Sequence, residues 1–400
     1  MPIPYRNRKI KTLEDLDLQE KKVFLRVDFN VPLSNGKISD DTRIQAALPT
    51  LRFLLEAKAK MVIASHLGRP KGKVDPKYSL FPVAEHLAEL LRQEVAFTDE
   101  SIGNGVRRIL SDASSPKMIL LENLRFHPEE EGNSLKFAME LKNGCDVYLS
   151  DAFGALHRAH ASTDALPRKF SDRGIGFLVK KELQALSPLL GQPERPFSVL
   201  LGGAKISDKL KVIEKLITKV DELYLGGAMV FTFLKALGRK VGNSLVEDSF
   251  VPHAIRILNT AKGRNIRIYL PSDFVLGKSV ESPGEAKLES GRDIPDGWMG
   301  LDIGPKTIEQ FSEGLKKAKT LFWNGPMGLF EKPPFDRGTI EIAKNISELK
   351  SFRVVGGGDS VAALSMAKVT EKIDHVSTGG GATLEFVEGL PLPGLESLAV

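Results

Sequence analysis

Short apolar runs alternate with longer amphipathic stretches along this chain. Residues 22–27, 61–64, 118–121 and 147–149 read as buried strands in the first half. Residues 198–201, 222–225, 266–270, 320–323, 353–355 and 375–377 read the same way in the second. These runs are rich in Val, Ile and Leu and end at turn-forming residues, as strands buried on both faces do. Between them lie helical patterns at 43–57, 82–92, 207–220, 250–262 and 360–368. Strand–helix alternation of this kind predicts an α/β fold of doubly wound parallel sheets covered by helices on both faces. Ligands of such sheets bind beyond the carboxyl ends of the strands.

A helix over 177–190, with Leu178, Leu183 and Leu186 spaced for one side, precedes the proline-rich break Gly191-Gln-Pro-Glu-Arg-Pro196. That combination suits a connector between two domains. The tail Gly389-Leu-Pro-Leu-Pro-Gly394 cannot continue a helix; it is either a disordered end or a strap across the surface.

Composition narrows the function classes. A chain of 400 residues with 42% hydrophobic and 27% charged residues suits two or three globular domains. The net charge of +5 comes without a concentrated basic stripe, so small acidic ligands are favoured over nucleic acid. A single cysteine, Cys145, excludes an internal disulfide and a cysteine zinc site. No apolar signal-peptide core and no apolar run near the ~18 residues of a membrane span are present, so a cytoplasmic protein without membrane association is expected.

The predicted strand ends carry two kinds of chemistry. In the second half they are glycine turns: Leu201-Gly-Gly-Ala204, Leu225-Gly-Gly-Ala228, Asn324-Gly-Pro326, Gly356-Gly-Gly-Asp359 and Gly379-Gly-Gly381. Glycine lets backbone amides approach a polyphosphate. Lys205 and Lys209, beside an apparent helix start near Ser207, oppose the helix dipole unless an anion lies between them. Asp359 can hold magnesium together with phosphate oxygens, or simply cap a helix. In the first half, Arg26, Arg43, Arg69, Arg125 and Arg158 come from five places, four of them at strand ends. Their convergence would suit a multiply charged anion. His66, His127, His157 and His160 lack zinc-motif spacing, and neighbouring arginines would repel a cation. Trp323, Phe231 and Phe233 read as core, with the lining of an adenine pocket as the weaker alternative. The usual phosphate-loop, dinucleotide and protein-kinase fingerprints are absent, so a nucleotide must be held another way.

Eight segments in order resemble phosphoglycerate kinases across essentially the whole chain. They are Arg26-Val-Asp-Phe-Asn-Val-Pro32, Ser65-His-Leu-Gly-Arg-Pro70, Glu122-Asn-Leu-Arg-Phe126, Asp151-Ala-Phe-Gly154 with His157-Arg-Ala-His160, Leu201-Gly-Gly-Ala-Lys205, Trp323-Asn-Gly-Pro-Met-Gly328, Gly356-Gly-Gly-Asp359 and Gly379-Gly-Gly-Ala382. The resemblance implies reversible transfer between 1,3-bisphosphoglycerate with MgADP and 3-phosphoglycerate with MgATP. It also implies a monomer of two domains: 1–172 with 386–400 for 3-phosphoglycerate, a helix over 173–190, and 191–385 for the nucleotide. By position, Arg26, Asp28, Asn30, Arg43, His66, Arg69, Arg125 and Arg158 would form the 3-phosphoglycerate site. Gly203, Lys205, Lys209, Gly226, Gly227, Leu301, Asn324, Pro326, Glu331, Gly356, Gly357, Gly358, Asp359 and Ser360 would surround the nucleotide, with Asp359 meeting Mg2+. Arg43 and Lys205 would flank the phosphoryl group in flight, with amides of Gly357, Gly358, Gly379 and Gly380 around it. Many members carry a third glycine where this chain has Ala228. The acceptor is a carboxylate with a pKa of roughly 3.5, already ionised at neutral pH, so no general base is needed. Arg43 and Lys205, on opposite domains, are expected to meet when the cleft closes. Two other readings are a nucleotide-dependent dehydrogenase on similar units and a two-domain anion receptor without catalysis.

Overall fold

A computed structural model describes every residue of the chain except Asn35, Ala113, Ser115, Ser282 and Pro283. The chain forms two compact units, Met1–Gln184 with Pro391–Val400, and Ala185–Leu390. The first crossing, from Gln184 to Ala185, falls inside a helix, and the second, from Leu390 to Pro391, lies in non-helical chain. Residues 386–390, expected with the first domain, belong to the second unit, because the helix Gly381–Val387 packs there and only the segment after it leaves.

The first unit is built on β1 (Lys22–Val27), β2 (Lys60–Ala64), β3 (Val95–Thr98), β4 (Met118–Leu121), β5 (Val147–Asp151) and β6 (Asp172–Ile175). All pairs are parallel, in the order β6-β5-β1-β2-β4-β3. Alternate residues explain the core. Val23, Leu25 and Val27 of β1 and Met61 and Ile63 of β2 face one side, where α1 (Thr42–Glu56) and α2 (Phe81–Leu91) bury Ile44, Leu48, Leu51, Val83 and Leu87. Each such aliphatic side chain contributes about 1.5–3 kcal/mol on burial. On the other face Phe24 stacks on Tyr148 with centroids 5.8 Å apart. The tail is a strap rather than a loose end. The Leu392 amide donates to Tyr5 Oη at 3.2 Å, Gly394 to the Leu156 carbonyl at 2.9 Å, and Val400 to the Lys9 carbonyl at 2.9 Å. The helix Pro393–Leu398 lies between these ties, with proline at its start where no amide is needed.

The second unit follows α3 (Phe177–Leu190), which crosses the division. Its main sheet contains β7 (Phe197–Leu201), β8 (Glu222–Leu225) and β9 (Arg267–Tyr269). Three antiparallel strands then form a separate sheet: β10 (Phe274–Gly277), β11 (Lys287–Glu289) and β12 (Met299–Ile303). The main sheet resumes with β13 (Thr320–Asn324), β14 (Phe352–Gly356) and β15 (His375–Val376), giving the parallel order β9-β8-β7-β13-β14-β15. The helices that concern the site are α4 (Leu210–Leu216), α5 (Val230–Ala236), α6 (Val251–Gly263), α7 (Pro305–Leu315), α8 (Arg337–Ser347), α9 (Gly358–Met366) and α10 (Gly381–Val387). The helix expected over 207–220 is shorter: α4 begins at Leu210, with Lys209 at its cap, because Ser207 is tied to Glu247 instead of to a helical partner. In both units the chain winds to one side of a central strand and then returns on the other. The reversals fall between β1 and β5 and between β7 and β13, which are the places where such sheets bind ligands.

Candidate functional site

In the first unit the basic motifs follow β1, β2, β4 and β5 at their carboxyl ends. Asp28 accepts from Arg43 Nη1 at 2.7 Å, and Asn30 Oδ1 accepts from the Gly68 amide at 2.8 Å. Arg125 is buried and donates through Nη1 to the Gly68 carbonyl at 2.8 Å, with Glu131 3.4 Å from its Nε. Arg158 Nε donates to His157 Nε2 at 3.2 Å, and Arg69 is exposed. Arg26 departs from the expected rim role. It is buried and committed to Ser162 Oγ at 2.8 Å, to the carbonyl of Val27 and to His66 Nδ1 at 3.2 Å. Glu130, wholly buried, holds that arrangement by accepting from the Ser162 amide at 2.9 Å and its hydroxyl at 2.5 Å.

The histidines are electrically silent here. Burial, reinforced by Arg26, Arg125 and Arg43, holds His66 well below the ordinary imidazole value. Burial, then Arg125, Arg26 and Arg158, pushes His160 down to about 3. A guanidinium has only donors, so His66 Nδ1 must accept from Arg26. Neutral His66 therefore carries its proton on Nε2 as a donor. Arg125 itself is lowered to about 10, by burial and then by Arg26 and Arg158. Cationic groups thus crowd one another, and an anion would relieve that repulsion. Among the described residues no group of three or more His, Cys, Asp and Glu is placed to hold a metal ion.

In the second unit the glycine turns divide into two classes. A Cβ on Gly202 would collide with the carbonyl of Pro326, one on Gly325 with the carbonyl of Gly202, and one on Gly227 with the backbone of Gly203. Gly226 is closed by Met327. These glycines let three main-chain turns pack directly on one another at the β7–β13 reversal. Gly358 and Gly380, by contrast, have nothing within 4 Å of the point a Cβ would occupy, and Gly203 meets only the Lys209 stem. The first class serves packing and the second borders open space. Asn324 and Ser360 fasten these turns from beneath. Asn324 Oδ1 accepts from Lys209 Nζ while its Nδ2 donates to the Gly356 carbonyl at 2.7 Å. Ser360 Oγ accepts from the Gly325 amide at 2.6 Å. Lys209 is held below the ordinary lysine value by burial, against the pull of Asp208 and Asp359.

Beside these turns lies a cavity of about 230 Å³. Gly203, Gly227, Ala228, Leu301, Pro326, Glu331 and Asp359 line it. Phe274, Met299, Ile303 and Leu329 also line it and were not expected, while Phe231, read as core with a base pocket as the weaker alternative, is both buried and on the cavity wall. Trp323 and Phe233 are core, the Trp323 Nε1 donating to the Gly325 carbonyl at 2.8 Å.

The sequence profile described as phosphoglycerate kinase matches residues 13–390. The chain belongs to the phosphoglycerate kinase family. The phosphoglycerate kinase of Anaeromyxobacter sp. (strain Fw109-5) is 51% identical over 97% of this chain and 99% of its own. That of Leptospira biflexa is 48% identical over 98% of both. The solved phosphoglycerate kinase of Coxiella burnetii superimposes with a TM-score of 0.88 at 36% identity, covering 97% of this chain and 98% of its own.

The chain carries a cluster of basic side chains near the reversal of the first sheet and a glycine-lined cavity near that of the second. The motifs that carried the resemblance all fall at strand ends. Besides those apolar cavity residues, sequence reasoning missed three acids: Glu130 beneath Arg26, Glu247 against Ser207, and Asp302. Asp302 is buried beside the cavity and accepts from the Gly338 amide at 2.6 Å and the Ile303 amide at 2.9 Å. No spacing signal marks any of them, because each acts on a residue remote in the chain.

Proposed function

We propose that the chain catalyses reversible phosphoryl transfer between 1,3-bisphosphoglycerate with MgADP and 3-phosphoglycerate with MgATP. The observation that carries this reading is the family match over residues 13–390, with its basic and glycine motifs at strand ends. In this reading Asp28, Asn30, His66 Nε2–H, Arg69, Arg125 and Arg158 hold 3-phosphoglycerate. Arg26 orients His66 from below. The apolar cavity takes adenine, with Gly227 and Leu301 as walls and Glu331 at the ribose. Lys209, Gly203 and the amides at Gly356, Gly357, Gly358 and Gly380 face the phosphates. Arg43, released from Asp28, and Lys205 neutralise charge on the transferring group.

The acceptor carboxylate arrives ionised, so the neutral histidines serve as hydrogen-bond donors and no proton is taken from the substrate. Positioning and fixed charge supply the catalysis. Acceptor and donor are gathered by different units, so direct transfer requires a reacting complex that brings them together. Asp359 is an exposed carboxylate on the cavity wall, charge-coupled to Lys209. One hard carboxylate fits Mg2+, which binds through one or two carboxylates plus phosphate oxygens. When bound with the nucleotide, the ion supplies charge neutralisation at the phosphates. The proposal extends to a cytoplasmic monomer acting on small molecules; among the described residues no helix is long and apolar enough to cross a membrane.

The test is a coupled assay with 3-phosphoglycerate and MgATP, followed by the reverse assay. Turnover is expected in both directions. Purified, folded protein that binds ADP yet gives no turnover in either direction rejects the proposal.

A further inference from the structure

Lys205 stands in a stretch that no regular element supports, since α4 starts only at Leu210. An acidic side chain ties that stretch, alongside the Lys209 amide on the Ile206 carbonyl at 2.9 Å. Glu247 accepts from the Ser207 hydroxyl through Oε1 at 2.7 Å and from the Ser207 amide through Oε2 at 3.0 Å, and the Ile206 amide points at the same carboxylate. Glu247 is fixed in turn, its own amide donating to Thr232 Oγ1 of α5 at 3.2 Å. Thr232 is buried and adjoins Phe231, which lines the base-side cavity.

Three residues earlier the same segment is pinned a second time. Ser244 Oγ accepts from the Gly300 amide at 3.0 Å, and Gly300 also lines the cavity. Between the two pins, Leu245 lines the cavity while 43% exposed. An apolar side chain held there gains burial when a planar base covers it. The segment 244–247 therefore touches the cavity through Leu245 and the Lys205 stretch through Glu247.

We propose that segment 244–247 is a coupling strap, in which Glu247 is a positioning residue for Lys205 and Leu245 senses the base. The inference rests on the proposed phosphoryl transfer for its kinetic arm, and on structure alone for its second arm. Base binding orders the strap, the strap orders Ile206 and Ser207, and Lys205 is presented to the phosphates only when the correct base is seated. Burial tends to raise the Glu247 carboxyl, but the hydrogen bonds from Ser207 and Ile206 and the charge of Lys205 hold it below the ordinary value, so it acts as the ionised clamp at neutral pH.

The kinetic arm is a double-mutant cycle. Glu247→Ala is expected to lower kcat roughly 10- to 100-fold, the scale of a misplaced catalytic group, with the Kd for ADP changed less than about threefold. In a Lys205→Ala background the same change is expected to add nothing, because its effect passes through Lys205. Glu247→Gln is expected to restore most of the rate, since its amide can accept from the Ser207 amide and donate to the hydroxyl. A merely structural acid would instead lower kcat equally in both backgrounds, and that additivity overturns the proposal.

The second arm uses adenosine, which has a base and no phosphate, and reads hydrogen exchange at the amides of Ile206 and Ser207. Adenosine is expected to slow exchange there in the natural protein and in Glu247→Gln. It is expected to have no effect there in Glu247→Ala or Leu245→Ala. Protection that persists in both alanine variants, or that never arises in the natural protein, overturns the coupling. If the natural protein shows protection but no turnover, the proposed reaction fails and the strap stands. If it turns over normally without protection, the strap fails and the reaction stands.

Discussion

In the first unit the groups that face the proposed ligand region are long charged side chains, whereas in the second they are main-chain amides at glycine turns. The difference decides what each region tolerates. The first gathers Arg26, Arg43, Arg125 and Arg158 near neutral histidines, so its cost is electrostatic: Arg125 is lowered to about 10 and His160 to about 3, in each case first by burial and then by the surrounding arginines. Its side chains can still shift to admit a substitution. The second places turns so close that Gly202, Gly227 and Gly325 have no room for a methyl group, so its cost is steric. Side-chain sites should therefore fail through charge and pH, and main-chain sites through packing.

The largest expected effect comes from deleting charge in the first unit. Arg43→Ala should lower kcat on the order of 10²–10³-fold, the scale of losing one transition-state partner. The Kd for ADP, measured by calorimetry, should be unchanged, because Arg43 belongs to α1 of the other unit. Turnover within about threefold of the natural protein would remove Arg43 from the chemistry. A steric lesion in the second unit ranks next. Gly202→Ala forces a methyl onto the Pro326 carbonyl and should cost about 3 kcal/mol of stability, read as a fall in the urea midpoint. A stable variant would show that these turns can move apart.

A smaller effect isolates the electrostatic cost of the first unit. Folded His160 stays neutral down to about pH 3, while the unfolded imidazole takes a proton near 6.5. Between those values the unfolded state binds more protons, so this contribution to stability is full above 6.5 and is lost as pH falls through the window. His160→Asn should flatten the dependence of stability on pH there by up to one proton, or about 1.4 kcal/mol per pH unit. Urea midpoints at intervals from pH 4 to 7 measure it. An unchanged slope would mean that His160 is not held neutral by its surroundings.

The same contrast explains what could be read from the chain in advance. The central strands of the two parallel sheets were legible because their runs of Val, Ile and Leu are continuous, as burial on both faces demands; the antiparallel strands β10 and β12 were not read. The edge strand β3 was not, since three of its four residues are only partly buried. β11 was not, since Lys287 and Leu288 are exposed and no apolar alternation marks it. Arginines at four strand ends and repeated multi-glycine turns marked both proposed ligand regions, because single turn glycines are ordinary there and such clusters are not. The apolar part of the wall of the proposed base-side cavity was hidden for the opposite reason: Phe274 and Ile303 look in sequence like any core residue, and only tertiary placement turns one face of each toward a cavity. The supporting acids were hidden by distance. Glu130 reaches Ser162, 32 residues away, and Glu247 reaches Ser207, 40 residues away. Glycine was legible as a type but not by role, because packing glycines and ligand-facing glycines share the same turns.

That last ambiguity gives the smallest and sharpest test. Gly358 begins α9, its φ is not in the left-handed region, and nothing lies within 4 Å of a methyl group placed there. Alanine restricts the unfolded chain more than glycine does, so Gly358→Ala should stabilise the protein by ~0.4–1 kcal/mol, opposite in sign to Gly202→Ala. The added methyl would project into the space assigned to the nucleotide phosphates, so KM for ATP should rise severalfold while the Kd for 3-phosphoglycerate, governed by the other unit, stays constant. Thermal melts and initial rates on one preparation give both readings. Loss of stability would move Gly358 into the packing class. Gained stability with an unchanged KM would place the phosphates elsewhere along these turns, leaving Gly380 and Gly203 as the remaining open approaches.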